Sequence, residues 1–207
     1  AKACSGEGRV PQEEVNDDML LAREYGVLTP ALIECIRTEY RLDWNGVHGV
    51  SHWARVRVNG LRLALHNGAD TRVVEYFAFL HDACRENEGR DPAHGARAAA
   101  FAHVLRRTHL AIDDAAFDLL IMALEGHTHG VGHDNLTVCT CWDADRLDLP
   151  RVLIEVDPQR LCTHEARDPA VIGRAREAAL GWLDDFHRVR TERQELRHAS
   201  AAERAVR

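Results

Sequence analysis

Apolar residues in this chain recur mostly at spacings of three and four, the period of one face of an α-helix. No stretch alternates apolar and polar residues long enough to make a useful strand, and no internal repeat stands out. A helix is predicted from Pro11 to Tyr25, with Met19, Leu20 and Leu21 as its apolar part and Gly26 as its stop. Thr29-Pro30 reads as N-cap and first residue of a second helix, whose buried stripe is Leu32, Ile33, Ile36 and Tyr40. Asn45-Gly46 marks a turn. A long helix from His48 to His66 carries Val56, Leu63 and Leu65 and stops at Gly68. Asp70 or Thr71 caps the next, which runs into His81-Asp82.

The same signals continue downstream. Asp91-Pro92 reads as cap and first residue of an Ala-rich helix ending near Arg107. Asp113 or Asp114 opens another, with Phe117, Leu120, Ile121 and Leu124 on its buried face. Gly126 to Asn135 is a polar, Gly-rich loop, and a helix is predicted from Val138 to Leu149. Asp168-Pro169 opens the last helix, through Leu180, Trp182, Leu183 and Phe186. The expected fold is all-α. Residues 1–10 read as a disordered segment, 11–187 as one helical domain and 188–207 as a charged tail with little to bury.

Composition narrows the function. A 45% hydrophobic content gives a chain of 207 residues a core of ordinary size. Acidic residues outnumber basic ones 33 to 26, a net charge of −7, which speaks against a general nucleic-acid-binding surface. An anionic substrate stays open, because a local metal or Arg outweighs global charge. No apolar run reaches transmembrane length and no secretory signal pattern is visible, so no membrane partner and a cytoplasmic location are expected. Six scattered Cys fit reduced thiols. Cys139-x-Cys141 with Cys162-x-His164 is a rival zinc set, but its spacing is tight for structural zinc, and buried apolar thiols are the stronger expectation. Thirteen His is high for this length.

Three stretches concentrate the chemistry. In HGVSHWARV, His48 and His52 are four apart, so on a helix they share a face about 6 Å from each other. In FAFLHDACRE, an apolar run ends in His81-Asp82. Burying those two side chains is costly without a partner, and a divalent cation is one. In CWDADRLDL, Asp143, Asp145 and Asp148 stand among apolar residues. Asp143 and Asp145 point in different directions on a helix, so at most one readily enters a site near the core.

Together, His, then His-Asp, then Asp on separate helices resemble the HD metal-dependent phosphohydrolase superfamily. HGVSHWARV resembles the opening motif of its small single-domain bacterial members. GADTRVVEYFAFLHD resembles their approach to the His-Asp pair, and DADRLD resembles their closing motif. These pieces span residues 46 to 150, about half the chain.

The resemblance implies a compact helical bundle with the site between core helices. It also implies His52, His81, Asp82 and Asp145 as metal ligands. Such a set suits Mn²⁺, Mg²⁺, Co²⁺, Ni²⁺ or Fe²⁺. It further implies hydrolysis of a phosphate ester or anhydride on a small molecule, with a nucleotide as the favoured class. Asp82 would orient a metal-activated water. Arg85 would grip phosphate and Glu86 would act as general base, though neighbouring helical positions diverge by about 100°. His94 and His127 are expected at substrate phosphate, and His48 there or hydrogen-bonded to an Asp ligand. One alternative keeps the ligands and makes the chain a di-iron HD oxygenase, which would need His94 and His127 on a second iron. Another is a non-catalytic metal- or nucleotide-binding module. A homodimer is left open.

Overall fold

The computed structural model describes residues 26–205. Among these residues there is no strand. Seven α-helices follow in order: α1 Pro30–Glu39, α2 Val50–Asn67, α3 Thr71–Leu80, α4 His94–Leu105, α5 Asp114–Gly126, α6 Leu136–Arg146 and α7 Pro169–Ala205. Two 3-10 turns, Leu149–Val152 and Pro158–Arg160, lead from α6 to α7. The helix predicted over Pro11 to Tyr25 lies outside the described residues.

The helices start and stop where the chain supplies partners for their end groups. Thr29 Oγ1 accepts from the Leu32 N–H at 3.2 Å, with Pro30 in the first turn. Asp70 accepts from Arg72 and Val73, and Asp113 accepts from Ala116. Asp168 accepts from the Ala170 N–H at 2.7 Å. Gly68 closes α2 in the left-handed region at φ 78°, which glycine adopts without steric cost.

Helix α2 is central, packed against α3, α6 and α7, while α5 packs on α3, α4 and α6. The main core joins Leu32, Trp53, Tyr76, Phe77, Leu80, Leu120 and Leu124, none of them more than marginally exposed. A smaller cluster of Leu63, Leu147, Leu161, Ala166 and Ala175 seats the start of α7. Helices α2 and α3 cross closely at Gly60, where a Cβ would come within 2.4 Å of Val74 Cγ1. Gly60→Ala is therefore expected to overpack the crossing by about 1–3 kcal/mol. Thermal unfolding checks this, at roughly 2–4 °C per kcal/mol for a chain of this size.

Several boundaries differ from the sequence expectation, each for a local reason. Helix α2 begins at Val50 rather than His48, with Gly49 as its N-cap. A Cβ at Gly49 would lie 2.1 Å from the Trp44 carbonyl, which accepts from the Val50 N–H at 2.9 Å. His48 thus lies in the preceding turn and shares no helical face with His52. Helix α4 begins at His94 rather than Pro92. Asp91 does not cap it. Its carboxylate instead accepts from the Glu86 N–H at 2.9 Å and from Arg97 at 2.5 Å. Asn135 caps α6 and brings its start forward to Leu136. Helix α7 continues beyond Arg188, where ion pairs from Arg188 to Asp185 and Glu192 run along its surface. No helix among the described residues is long and apolar enough to cross a membrane.

Candidate metal centre

Four buried imidazoles and two carboxylates meet where the ends of α3, α4 and α5 converge on α2 and α6. His52 lies in the first turn of α2, and His81 follows the last residue of α3. His94 opens α4, and His127 follows the last residue of α5. Asp145 is in the last turn of α6.

In three of the histidines one local device sets the ring. His81 Nδ1 donates to the carbonyl of Ala78 at 3.1 Å, with Phe77 O at 3.3 Å, and His127 Nδ1 donates to Leu124 O at 2.7 Å. His94 Nδ1 donates to Asp91 O at 2.5 Å. Each ring therefore bonds a carbonyl three residues back. For His81 and His127 that carbonyl is one that a helix C-terminus leaves without an amide partner. Because a carbonyl only accepts, Nδ1 must carry the proton, and Nε2 of the neutral ring presents its lone pair. His52 is set differently: its Nδ1 donates to Asp148 Oδ2 at 2.7 Å, across 96 residues of chain.

The Nε2 atoms meet in pairs. Those of His52 and His81 are 3.0 Å apart, and those of His94 and His127 are 2.6 Å apart. Lone pairs at that distance repel unless a cation lies between or beside them. Carboxylates complete each pair. Asp145 Oδ1 is 3.4 Å from His52 Nε2 and 3.7 Å from His81 Nε2. Asp82 faces both pairs. Its Oδ2 is 3.7 Å from His52 Nε2 and 3.8 Å from His81 Nε2, and its Oδ1 is 3.3 Å from His94 Nε2. Ligands at right angles around an ion bound at about 2.1 Å stand roughly 3 Å apart, so the donor set fits divalent metal. Two groups of buried side chains are close enough to hold an ion: His52, His81 and Asp82, and Asp82, His94 and His127, each with donor atoms within 4.8 Å of one another.

Electrostatics agree with a cation-seeking site. Burial pushes His81 down to about 3, and it lowers His127 in the same direction, so both rings are neutral at physiological pH. Burial alone would raise the Asp82 carboxyl. The charge that the neighbouring imidazoles, His81 foremost, carry once protonated in acid opposes it together with the Arg85 guanidinium, and the group is held well below the usual carboxylate range. At Asp145 burial likewise opposes, and the His52 hydrogen bond and the charge that His81 takes up in acid hold it low.

The remaining sequence expectations land in varied places. His94 and His127, expected at substrate phosphate, point their Nε2 atoms at each other and toward Asp82, as a second donor group. His48 is buried and donates from Nδ1 to Glu88. Burial lowers its pKa while the Asp82 charge opposes. Arg85 is engaged by the loop after it: Nη1 donates to Asp82 Oδ1 at 3.3 Å, Nη2 to Gly89 O at 2.7 Å and Nε to Asn87 O at 3.4 Å. It holds Asp82 rather than standing open to phosphate. Glu86 keeps 54% of its side chain exposed, and its carboxylate lies 3.8 Å from Arg97. It lines an open cleft of about 410 Å³ with Cys84, Phe101 and Val104. Asp143 accepts from Cys162 N, Thr163 N and Thr163 Oγ1 at 2.7–2.8 Å, which anchors the chain after α6 and leaves Asp145 as the ligand-facing residue. The five cysteines among the described residues are free thiols, and neither donor group there includes one.

Sequence reasoning brings His94 and His127 together only in the oxygenase alternative, and it missed the support of His52 by Asp148 and Arg55. The spacings that signal the latter are visible: Arg55 is three residues after His52, and Asp148 is three after Asp145. Gly95 also carries a site function. A Cβ there would lie 2.5 Å from Leu124 O, the acceptor for His127, and 3.2 Å from the His127 ring. Gly95→Ala is expected to displace His127 and lower metal content at the Asp82–His94–His127 group, leaving the other group loaded. Metal analysis of the purified variant reads this directly.

Comparisons with family models, curated proteins and solved structures return no match.

Proposed function

We propose that this chain is a metal-dependent phosphohydrolase of the HD type that cleaves a phosphate ester or anhydride of a small molecule, a nucleotide being the favoured class. The observation that supports it is Asp82 between two facing imidazole pairs, a donor set for up to two divalent ions. His52, His81, Asp82 and Asp145 would hold one, and Asp82, His94 and His127 the other. Bound there, the ions would polarise a phosphoryl oxygen and lower the pKa of water toward neutrality. Asp82 orients the reacting region, and Arg85 keeps the Asp82 carboxylate in place. His48, with Nδ1 committed to Glu88 and its ring kept neutral by burial, offers Nε2 as a proton acceptor. In this reading the His48–Glu88 pair replaces Glu86 as the base.

A second reading, the di-iron oxygenase, draws support from the same His94–His127–Asp82 group, because it requires two additional nitrogen ligands. One experiment separates them. The chain is purified without oxygen, loaded with Mn²⁺ or Fe²⁺, and given a panel of nucleotides and phosphorylated metabolites. Two metal equivalents with phosphate or pyrophosphate release are expected. Oxygen consumption with two irons and no phosphate release would replace the first reading with the second. Metal without turnover of any kind would leave a binding module, and no metal at all would end every version.

A further inference from the structure

The support behind His52 extends to a helix that contributes no ligand. Asp148 is fully buried and follows α6. Its carboxylate takes the His52 Nδ1–H on Oδ2, and it also takes Arg55 in a two-point grip, Nε to Oδ1 at 2.6 Å and Nη2 to Oδ2 at 2.9 Å. Arg151 donates to the Asp148 backbone carbonyl at 3.1 Å, fixing the residue from its other side. The guanidinium of Arg55 lies over the indole of Trp182, 4.5 Å from the ring centroid, and Trp182 belongs to α7. The chain of contacts therefore runs from α7 through Arg55 and Asp148 to Nδ1 of His52, the ring nitrogen opposite the one that faces His81.

We infer that Arg55 and Trp182 are positioning residues of the metal centre, through which α7 sets the orientation and donor strength of His52. The inference rests on the metal reading above. A buried carboxylate bonded to the far nitrogen of a ligating His fixes ring tilt and makes the near nitrogen a better donor. That carboxylate must itself be held. A bidentate guanidinium holds it in one plane, which a point charge does not. The Trp182 face restricts the guanidinium and favours its charge. Neither donor group among the described residues draws a residue from α7, so this helix shapes a metal ligand without supplying one.

The test compares Arg55→Met, Trp182→Leu and Trp182→Phe with the unmodified chain, using Co²⁺ alone as probe. Competition with a chromophoric chelator gives affinity, and the visible Co²⁺ spectrum reports ligand geometry independently of turnover. Arg55→Met is expected to weaken binding about 10- to 100-fold with an altered spectrum. Trp182→Leu is expected to weaken it roughly 2- to 5-fold, and Trp182→Phe to restore it, because either ring offers a face to the cation. Folded variants with unchanged affinity and unchanged spectrum would overturn the inference. Should Arg55→Met fail to fold, the two Trp182 variants decide alone. Absence of Co²⁺ binding by the unmodified chain would overturn the metal reading itself, a result distinct from indifference to these substitutions.

Discussion

Alanine at position 82 is expected to empty both donor groups at once, whereas alanine at His127 is expected to empty only one. Asp82 is the carboxylate that faces both imidazole pairs, with Oδ2 toward His52 and His81 and Oδ1 toward His94. Without it the His94–His127 group keeps two imidazole nitrogens and loses its carboxylate, a poor set for a hard divalent ion. The His52–His81 pair keeps Asp145, but no carboxylate opposes it. Asp82→Ala should therefore retain under about one-tenth of an equivalent of metal, and turnover should fall by at least about three orders of magnitude with the lost metal chemistry. His81→Ala and Asp145→Ala should empty the first group, with the helices still folded. Elemental analysis of purified protein, with circular dichroism to confirm helix content, checks all four variants. Full metal content in Asp82→Ala would remove the sharing of Asp82 and the proposed reaction with it.

The second large effect is loss of stability in acid. His81 is 1% exposed, and burial pushes its pKa down to about 3, from an ordinary value of 6.5. Because the folded value is the depressed one, the unfolded chain takes up the proton first as pH falls. The stabilising contribution is therefore complete above pH 6.5 and declines between pH 6.5 and pH 3. For the metal-free protein this single ring is expected to remove about 2 kcal/mol by pH 5 and about 5 kcal/mol by pH 3, at ~1.4 kcal/mol per unit. His127 shifts the same way and adds to it. Asp82 and Asp145, held low in the fold, lose their contributions only further into acid. Urea midpoints of the metal-free chain at pH 7, 6 and 5 give the slope. A midpoint that does not move would contradict a neutral buried His81. Bound metal should raise stability at a given pH and steepen the dependence, because its affinity falls as protons compete for the same nitrogens.

Much of the helical framework is legible in the chain because its signals are local. Thr29-Pro30, Asp70, Asp113 and Gly68 each act on atoms within four residues, so their side chains announce the boundary. Where a residue has a distant customer, local reading misleads. Asp91 before Pro92 looks like a cap, yet its carboxylate serves the Glu86 amide and Arg97. His48 looks helical by spacing, but the Trp44 carbonyl claims the Val50 amide and delays the helix past Gly49.

The donor set divides along the same line. His81-Asp82 announce themselves at the end of an apolar run. Resemblance alone singles out His52 over His48 and Asp145 over Asp143, and their placement facing one another follows from tertiary packing that no short window contains. That His94 and His127, 33 residues apart, meet at 2.6 Å depends on how the start of α4 abuts the end of α5. Arg85 shows the limit most clearly. Its charge suggests phosphate, but carbonyls of the loop that follows it occupy the guanidinium, and loop carbonyls leave no trace in residue type.

The backbone carbonyls behind three of the four imidazoles have a consequence for how this site tolerates change. Aim stored in the main chain is indifferent to which side chains surround it. Drift in the neighbourhood of His81, His94 and His127 can be extensive so long as the chain keeps its path. His52 borrows its aim from a carboxylate 96 residues away, so its fidelity depends on a relay of particular residues. Robustness in this cluster is therefore lopsided, and the first imidazole to wander under accumulated substitution should be His52.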